Sequence, residues 1–254
     1  MAGIATNPGL IPGAEALEQA RGRLIVALDV RSQADALAMA ENLEGVCHWF
    51  KVGLELFIAA GPAVVESLAS RGHAVFLDLK LHDIPNTVAG AVRSAGSLGA
   101  RMLTIHAAGG PAMLAAAVDA AAGMDAAPEL LAVTVLTSMN QAQIAAIGVA
   151  RPAAEQVDLL ARMGLEAGFR GFVCSPREVA AVRSLTGPRG VLVIPGIRPA
   201  GAAIGDQQRI ATPAQALLDG ASYLVVGRPV TQAADPAGAA EAIVREMAEA
   251  LSGA

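Results

Sequence analysis

Asp78 and Lys80 stand two residues apart inside the apolar run AVFLDLK (74–80). Side chains two apart on a strand share a face, with α-carbons roughly 6.5–7 Å apart, so the two charges are within mutual electrostatic reach. Phe76, Asp78 and Lys80 then face one way, and Leu77, Leu79 and Leu81 the other. Charges in an apolar interior are costly unless paired. At the open end of a fold such a pair can stabilise charge that develops on a bound molecule. Other runs repeat the device: Asp29 closes LIVALDV (24–30), Lys51 sits late in HWFKVG (48–53), Thr137 closes LLAVTVLT (130–137) and Arg228 closes YLVVGR (223–228). A single Asp-Lys pair could be a local ion pair that fixes strand register. Polar groups brought to one rim by several strands are an expensive route to stability and point to a site.

The same stretch continues through His82, Asp83, Pro85 and Thr87. Pro85 suits the first turn of a helix, so Asp83 lies beyond the face of Lys80. Folding back toward Lys80 and serving a neighbouring subunit both stay open for Asp83. A second constellation follows the seventh and eighth apolar runs. The segment IPGIRPAGAAIGDQQRI (194–210) carries Gly196, Gly201, Gly205, Arg198, Gln207 and Arg209, and reads as a loop long enough for a lid over a ligand. Gly227-Arg228 precedes Pro229, where backbone N–H groups and a guanidinium fork suit an anion, most simply a phosphate monoester.

These residues need a frame that gathers strand ends on one rim. Eight apolar runs (24–30, 48–53, 74–80, 101–107, 130–137, 171–175, 191–197 and 223–228) alternate with helical patterns. Ser175-Pro176, Thr212-Pro213 and Asp235-Pro236 place a capping residue before a proline at the first helical position, and Ser32 with Asp35 resembles a capping box. Gly45, Gly72, Gly99, Gly168, Gly187 and Gly220 fall where helices should stop. The pattern predicts an α/β protein, a single-domain (β/α)8 TIM barrel over 23–254, preceded by a tail or floor segment over 1–22. A doubly wound open sheet is the alternative, but no G-x-G-x-x-G follows the first run. In the barrel, active sites lie at the C-terminal mouth, with phosphate commonly held after strands seven and eight.

Composition narrows the function. The 254 residues are 54% hydrophobic, carry a net charge of −5 and hold only 3% aromatics, which argues against a nucleic-acid surface. The uncharged stretch 130–150 breaks into a β-rich half and a polar half, which fits two soluble elements better than a membrane span. Cys47 and Cys174 read as buried thiols of a reducing cytoplasm. His48, His73, His82 and His106 show no metal-ligand spacing, and His106 is placed near the pocket without a role.

The stretch Asp78 to Thr87 resembles the signature of the orotidine 5′-phosphate decarboxylase family, D-x-K-x-x-D-I-P-x-T. Leu28-Asp29, Lys51-Val52-Gly53, Leu136-Thr137-Ser138, Pro195-Gly196-Ile197-Arg198, Gly205-Asp206-Gln207 and Val226-Gly227-Arg228-Pro229 are similar to further motifs of that family, in order. The resemblance implies a barrel that converts orotidine 5′-monophosphate to UMP in pyrimidine synthesis with no metal and no organic cofactor. It implies a homodimer, with Asp83 and Thr87 reaching into the partner's site. Lys51, Asp78, Lys80 and Asp83 would form an alternating charge array, and Lys80 would protonate C6. Asp29 and Lys51 would contact the ribose hydroxyls, and Thr137 the pyrimidine amide. Gln207, Gly227 and Arg228 would hold the phosphate, with Arg198 in or beside the same loop. Two rivals share the fold: a Mg²⁺-dependent sugar-phosphate decarboxylase or aldolase, and a non-catalytic phosphate-binding barrel. Enzymes of the first kind place a metal-binding carboxylate on the second strand; this chain has Lys51 there, and a cation is a poor neighbour for Mg²⁺.

Overall fold

A computed structural model describes residues 12–199 and 209–253. Eight parallel strands close into a barrel in sequence order, with the last paired to the first. They are β1 Leu24–Ala27, β2 Trp49–Gly53, β3 Ala74–Leu81, β4 Ala100–His106, β5 Glu129–Val133, β6 Gly171–Val173, β7 Val191–Ile194 and β8 Tyr223–Val226. Helices connect them on the outside, as right-handed crossovers between parallel neighbours require. The helix Ala14–Arg23 runs directly into β1 and packs on the C-terminal helix Pro236–Ser252.

The alternation read in the sequence sorts the core into two compartments. Ile25, Ala27, Phe76, Met102, Leu131, Val193 and Val225 fill the barrel interior. Leu77 belongs to the layer between strands and helices, with Leu79 and Leu81 packed against it. Asp78 and Lys80 therefore continue the inward row of Phe76, above the apolar plug.

Helix starts follow the sequence signals. Thr212 accepts from the Gln215 N–H at 3.2 Å and Asp235 from the Gly238 N–H at 3.0 Å. Ser175 and Glu178 cap each other reciprocally at the turn Pro176–Glu178. Ser32 accepts from the Asp35 N–H at 3.1 Å, but Asp35 returns the contact to the Ser32 hydroxyl rather than to its backbone. The six glycines read as helix terminators all have positive φ.

Several apolar runs extend past their strands. β1 stops at Ala27, short of Asp29; β5 stops at Val133, short of Thr137; and β8 stops at Val226, short of Arg228. Asp29 and Thr137 thus sit on loops, and Arg228 opens the single-turn helix Arg228–Thr231. Hydrophobicity reports burial rather than ladder pairing. Leu28 and Val135 remain buried after leaving the ladder, so the runs look longer than the strands. Residues 130–150 divide into β5 and the separate helix Gln141–Ala146, and no helix among the described residues is long and apolar enough to cross a membrane.

Candidate active site

A cleft of about 520 Å³ opens at the C-terminal ends of the strands. Asp29, Lys51, Asp78, Lys80, Thr137, Arg198, Gly227 and Arg228 all line it, eight of the residues singled out from sequence. Gln207 and the glycines Gly201 and Gly205 lie outside the described residues, as does most of the segment read as a lid.

Four of the lining side chains form a line of alternating charge. The Lys51 ammonium lies 3.0 Å from Asp29 Oδ1 and 3.8 Å from Asp78 Oδ2. The Lys80 ammonium donates to both oxygens of Asp78, at 2.8 and 2.9 Å. The order Asp29, Lys51, Asp78, Lys80 runs across the ends of three neighbouring strands, so each charge has an opposite neighbour. Burial opposes ionisation of Asp78. Lys51, Lys80 and hydrogen bonds from Lys80 and Thr104 outweigh it and hold the carboxyl below the ordinary carboxylate range. Gly53 gives the array room: a Cβ there would lie 2.7 Å from the Lys51 ammonium.

The strand that carries the array is distorted at its end. Lys80 has φ +50°, and among the described residues it is the only non-glycine residue with positive φ. Opposite it the register of β3 against β4 slips, with Leu77 facing Leu103 and Leu81 facing Ile105. A bulge of this kind re-aims a side chain. The Lys80 N–H, turned from the ladder, donates to Thr104 Oγ1 at 2.8 Å, and the Thr104 hydroxyl donates to Asp78 Oδ1 at 3.0 Å.

The cleft is also lined by two arginines, Arg198 and Arg228. Arg198 is buried, and its guanidinium donates to the Ile197 carbonyl at 2.8 Å. Burial, and then the nearby charge of Arg228, lower the Arg198 pKa. Two guanidiniums close enough to repel favour an anion between or beside them. The base of the Arg198 loop is fixed where Arg198 donates its N–H to the Ala211 carbonyl at 3.0 Å. Arg209, also in the glycine-rich segment, turns away from the cleft. It pairs with buried Glu178 at 2.6 Å and donates to the Leu136 carbonyl at 2.9 Å, which ties this segment to the loop bearing Thr137.

Asp83 and Thr87 are exposed and do not line the cleft of their own chain. The Asp83 carboxylate accepts from the Ile84 N–H at 2.6 Å. Among the described residues that carboxylate makes no ion pair with Lys80, whose ammonium is held by Asp78.

Sequence reasoning passed over Thr104, Glu55 and Gln232. Glu55 and Gln232 line the cleft, from the first turn of the helix Leu54–Ala60 after β2 and from the end of the single-turn helix after β8. Thr104 had a legible signal, a polar residue on the inward row of β4 between Met102 and His106. The histidines looked scattered, yet the rings of His82 and His106 come within 5.6 Å of each other beside the array. Burial, then His82 and Lys80, lower the His106 pKa against the pull of Asp78. Both cysteines are buried, and burial pushes the Cys47 thiol up to about 12.

Residues 22–243 match the model of the orotidine 5′-phosphate decarboxylase / HUMPS family. The orotidine 5′-phosphate decarboxylase of Moorella thermoacetica is 51% identical over 234 residues, covering 90% of this chain and 93% of the relative. That of Anaeromyxobacter sp. strain K is 54% identical over 221 residues, 87% of this chain and 96% of the relative. Among solved structures, orotidine 5′-phosphate decarboxylase from Lactobacillus acidophilus superposes with a TM-score of 0.78 at 40% identity, covering 89% of this chain and 98% of that one.

Proposed function

The chain belongs to the orotidine 5′-phosphate decarboxylase / HUMPS family, and on that premise we propose how its cleft carries out the decarboxylation of orotidine 5′-monophosphate to UMP. It is a carboxy-lyase of pyrimidine biosynthesis. The observation that carries the reading is the line Asp29, Lys51, Asp78, Lys80 sharing one cleft with two arginines.

In the proposed reaction the bond between C6 and the carboxylate breaks. Carbon dioxide leaves, the electron pair stays on C6, and the Lys80 ammonium gives C6 its proton. The lysine then regains a proton from solvent. A carbanion at C6 has little resonance relief, so a fixed ammonium nearby is the main source of stabilisation. Asp78 holds that ammonium and stands where the departing carboxylate would lie. Asp29 and Lys51 hold the ribose hydroxyls, and Thr137 the pyrimidine amide. Arg198, Gly227 and Arg228, with Gln207, bind the phosphate, whose binding energy positions a ring at which it never reacts.

The Mg²⁺-dependent rival asks for oxygen ligands around a dication. Here an ammonium, that of Lys51, lies between the carboxylates of Asp29 and Asp78. Reaction without a metal follows from that charge arrangement. We further propose a homodimer in which Asp83 and Thr87 complete the partner's site. Both are exposed and outside their own cleft. Leu54, Ile58 and Ile84 add large apolar surface that is 50%, 80% and 67% exposed on the segments after β2 and β3. The buried free thiols suit a reducing cytoplasm, where we place the enzyme.

The test is loss of orotidine 5′-monophosphate absorbance, with UMP and carbon dioxide as products, by purified protein in EDTA. Turnover unchanged by the chelator is expected. No turnover, or turnover restored only by Mg²⁺, would overturn the reading.

A further inference from the structure

Thr104 is fully buried on β4, between the barrel core and the charge array. Its hydroxyl is used twice: it accepts from the backbone N–H of Lys80 at 2.8 Å and donates to Asp78 Oδ1 at 3.0 Å. The contact occurs where β3 leaves its register with β4 and Lys80 takes its positive φ. A left-handed conformation is unfavourable for a residue with a Cβ and persists only where the surroundings hold it. The Thr104 hydroxyl is the side-chain acceptor of that N–H, and a bulged N–H without an acceptor would draw the backbone toward another conformation.

We propose that Thr104 is a positioning residue for the decarboxylation: its hydroxyl locks the left-handed backbone of Lys80 to the carboxylate of Asp78 and so aims the ammonium at the reacting carbon. One hydroxyl sets both ends of the lever, the backbone from which the Lys80 side chain departs and the carboxylate on which its ammonium rests. Methyl-bearing isosteres of the same volume can do neither. Thr104 is fully buried and does not line the cleft, so its loss should act on the reacting step and not on binding. The inference rests on the decarboxylase reading and assigns that reaction a residue it had not included.

Thr104→Val keeps the shape and removes the hydroxyl; Thr104→Ser keeps the hydroxyl. With orotidine 5′-monophosphate, Thr104→Val is expected to lower kcat by about 10- to 100-fold with KM within about threefold, and Thr104→Ser to stay within about threefold of the parent. Should Thr104→Val not yield folded protein, Thr104→Ala replaces it with the same expectations. A crystal structure of the hydroxyl-free variant reads the backbone without reference to turnover, and Lys80 should leave its positive φ. Unchanged kcat, a loss confined to KM, a serine variant as slow as the valine one, or a Lys80 backbone unmoved would each overturn the proposal. A parent protein that does not decarboxylate the nucleotide would instead overturn the decarboxylase reading, while the backbone measurement would still decide the role of Thr104.

Discussion

Replacing Asp78 with Asn removes the one carboxylate between two ammonium groups while keeping shape and an acceptor oxygen. The array as it stands is neutral, with Asp29 and Asp78 balancing Lys51 and Lys80. At an effective dielectric of about 20, the attraction of Asp78 is about 6 kcal/mol for Lys80 at 2.8 Å and about 4 kcal/mol for Lys51 at 3.8 Å. Desolvation offsets most of this, and the Lys80 side chain is 31% exposed, so the net destabilisation should be about 2–4 kcal/mol. For a chain of this size that lowers Tm by about 5–12 °C. The surplus cation gives a sharper test. Lys51→Met should destabilise the parent, but on the Asp78→Asn background it restores neutrality and should recover about 1–3 kcal/mol. Urea unfolding of the parent, both single variants and the double variant reads the coupling. Free-energy changes that add within about 0.5 kcal/mol would refute the view that the array is held by mutual charge compensation.

Arg228→Met should raise KM for the nucleotide by about 10- to 100-fold and weaken inhibition by inorganic phosphate in parallel, as expected from loss of a charge-assisted contact; unchanged kinetics would remove it from the phosphate site. Gly53→Ala places a methyl group 2.7 Å from the Lys51 ammonium. The ammonium ends a flexible side chain, so Tm should move by only about 2–4 °C while kcat/KM falls about tenfold; a parent-like kcat/KM would show that Lys51 need not stay where it is. Mixing Lys80→Ala with Asp83→Ala protein should restore about one quarter of parental activity, since half of randomly paired dimers would hold one intact site if Asp83 crosses a two-fold interface. No recovery would place Asp83 in its own chain's site.

Much of this fold is legible in the sequence because barrel strands follow a period of two and their helices are punctuated by capping residues. The inward placement of Phe76 and Asp78 follows from alternation, and Lys80 lines the same cleft although the strand is bulged there. Strand ends are less legible: Leu28 and Val135 stay buried after the ladder stops, so apolar runs overestimate β1 and β5. The left-handed Lys80 could not be read, because nothing in D-L-K announces a bulge that arises from pairing with β4. Thr104 was readable as an inward polar residue, but its partners come from another strand. The approach of His82 to His106 depends on that same bulged end of β3 meeting β4. Arg209 shows the opposite failure, since a cation in a glycine-rich loop suggests an anion site, yet its charge is taken by Glu178.

The central claim is that the Lys80 ammonium, held by Asp78 at the barrel mouth, stabilises charge at the reacting carbon and protonates it. Comparing kcat of Lys80→Ala with the parent on orotidine 5′-monophosphate tests this most directly. The claim requires kcat to fall by at least about 10⁴-fold, because both a general acid and a preorganised charge are lost, with the nucleotide still bound through its phosphate. A variant that turns over within about tenfold of the parent would contradict it.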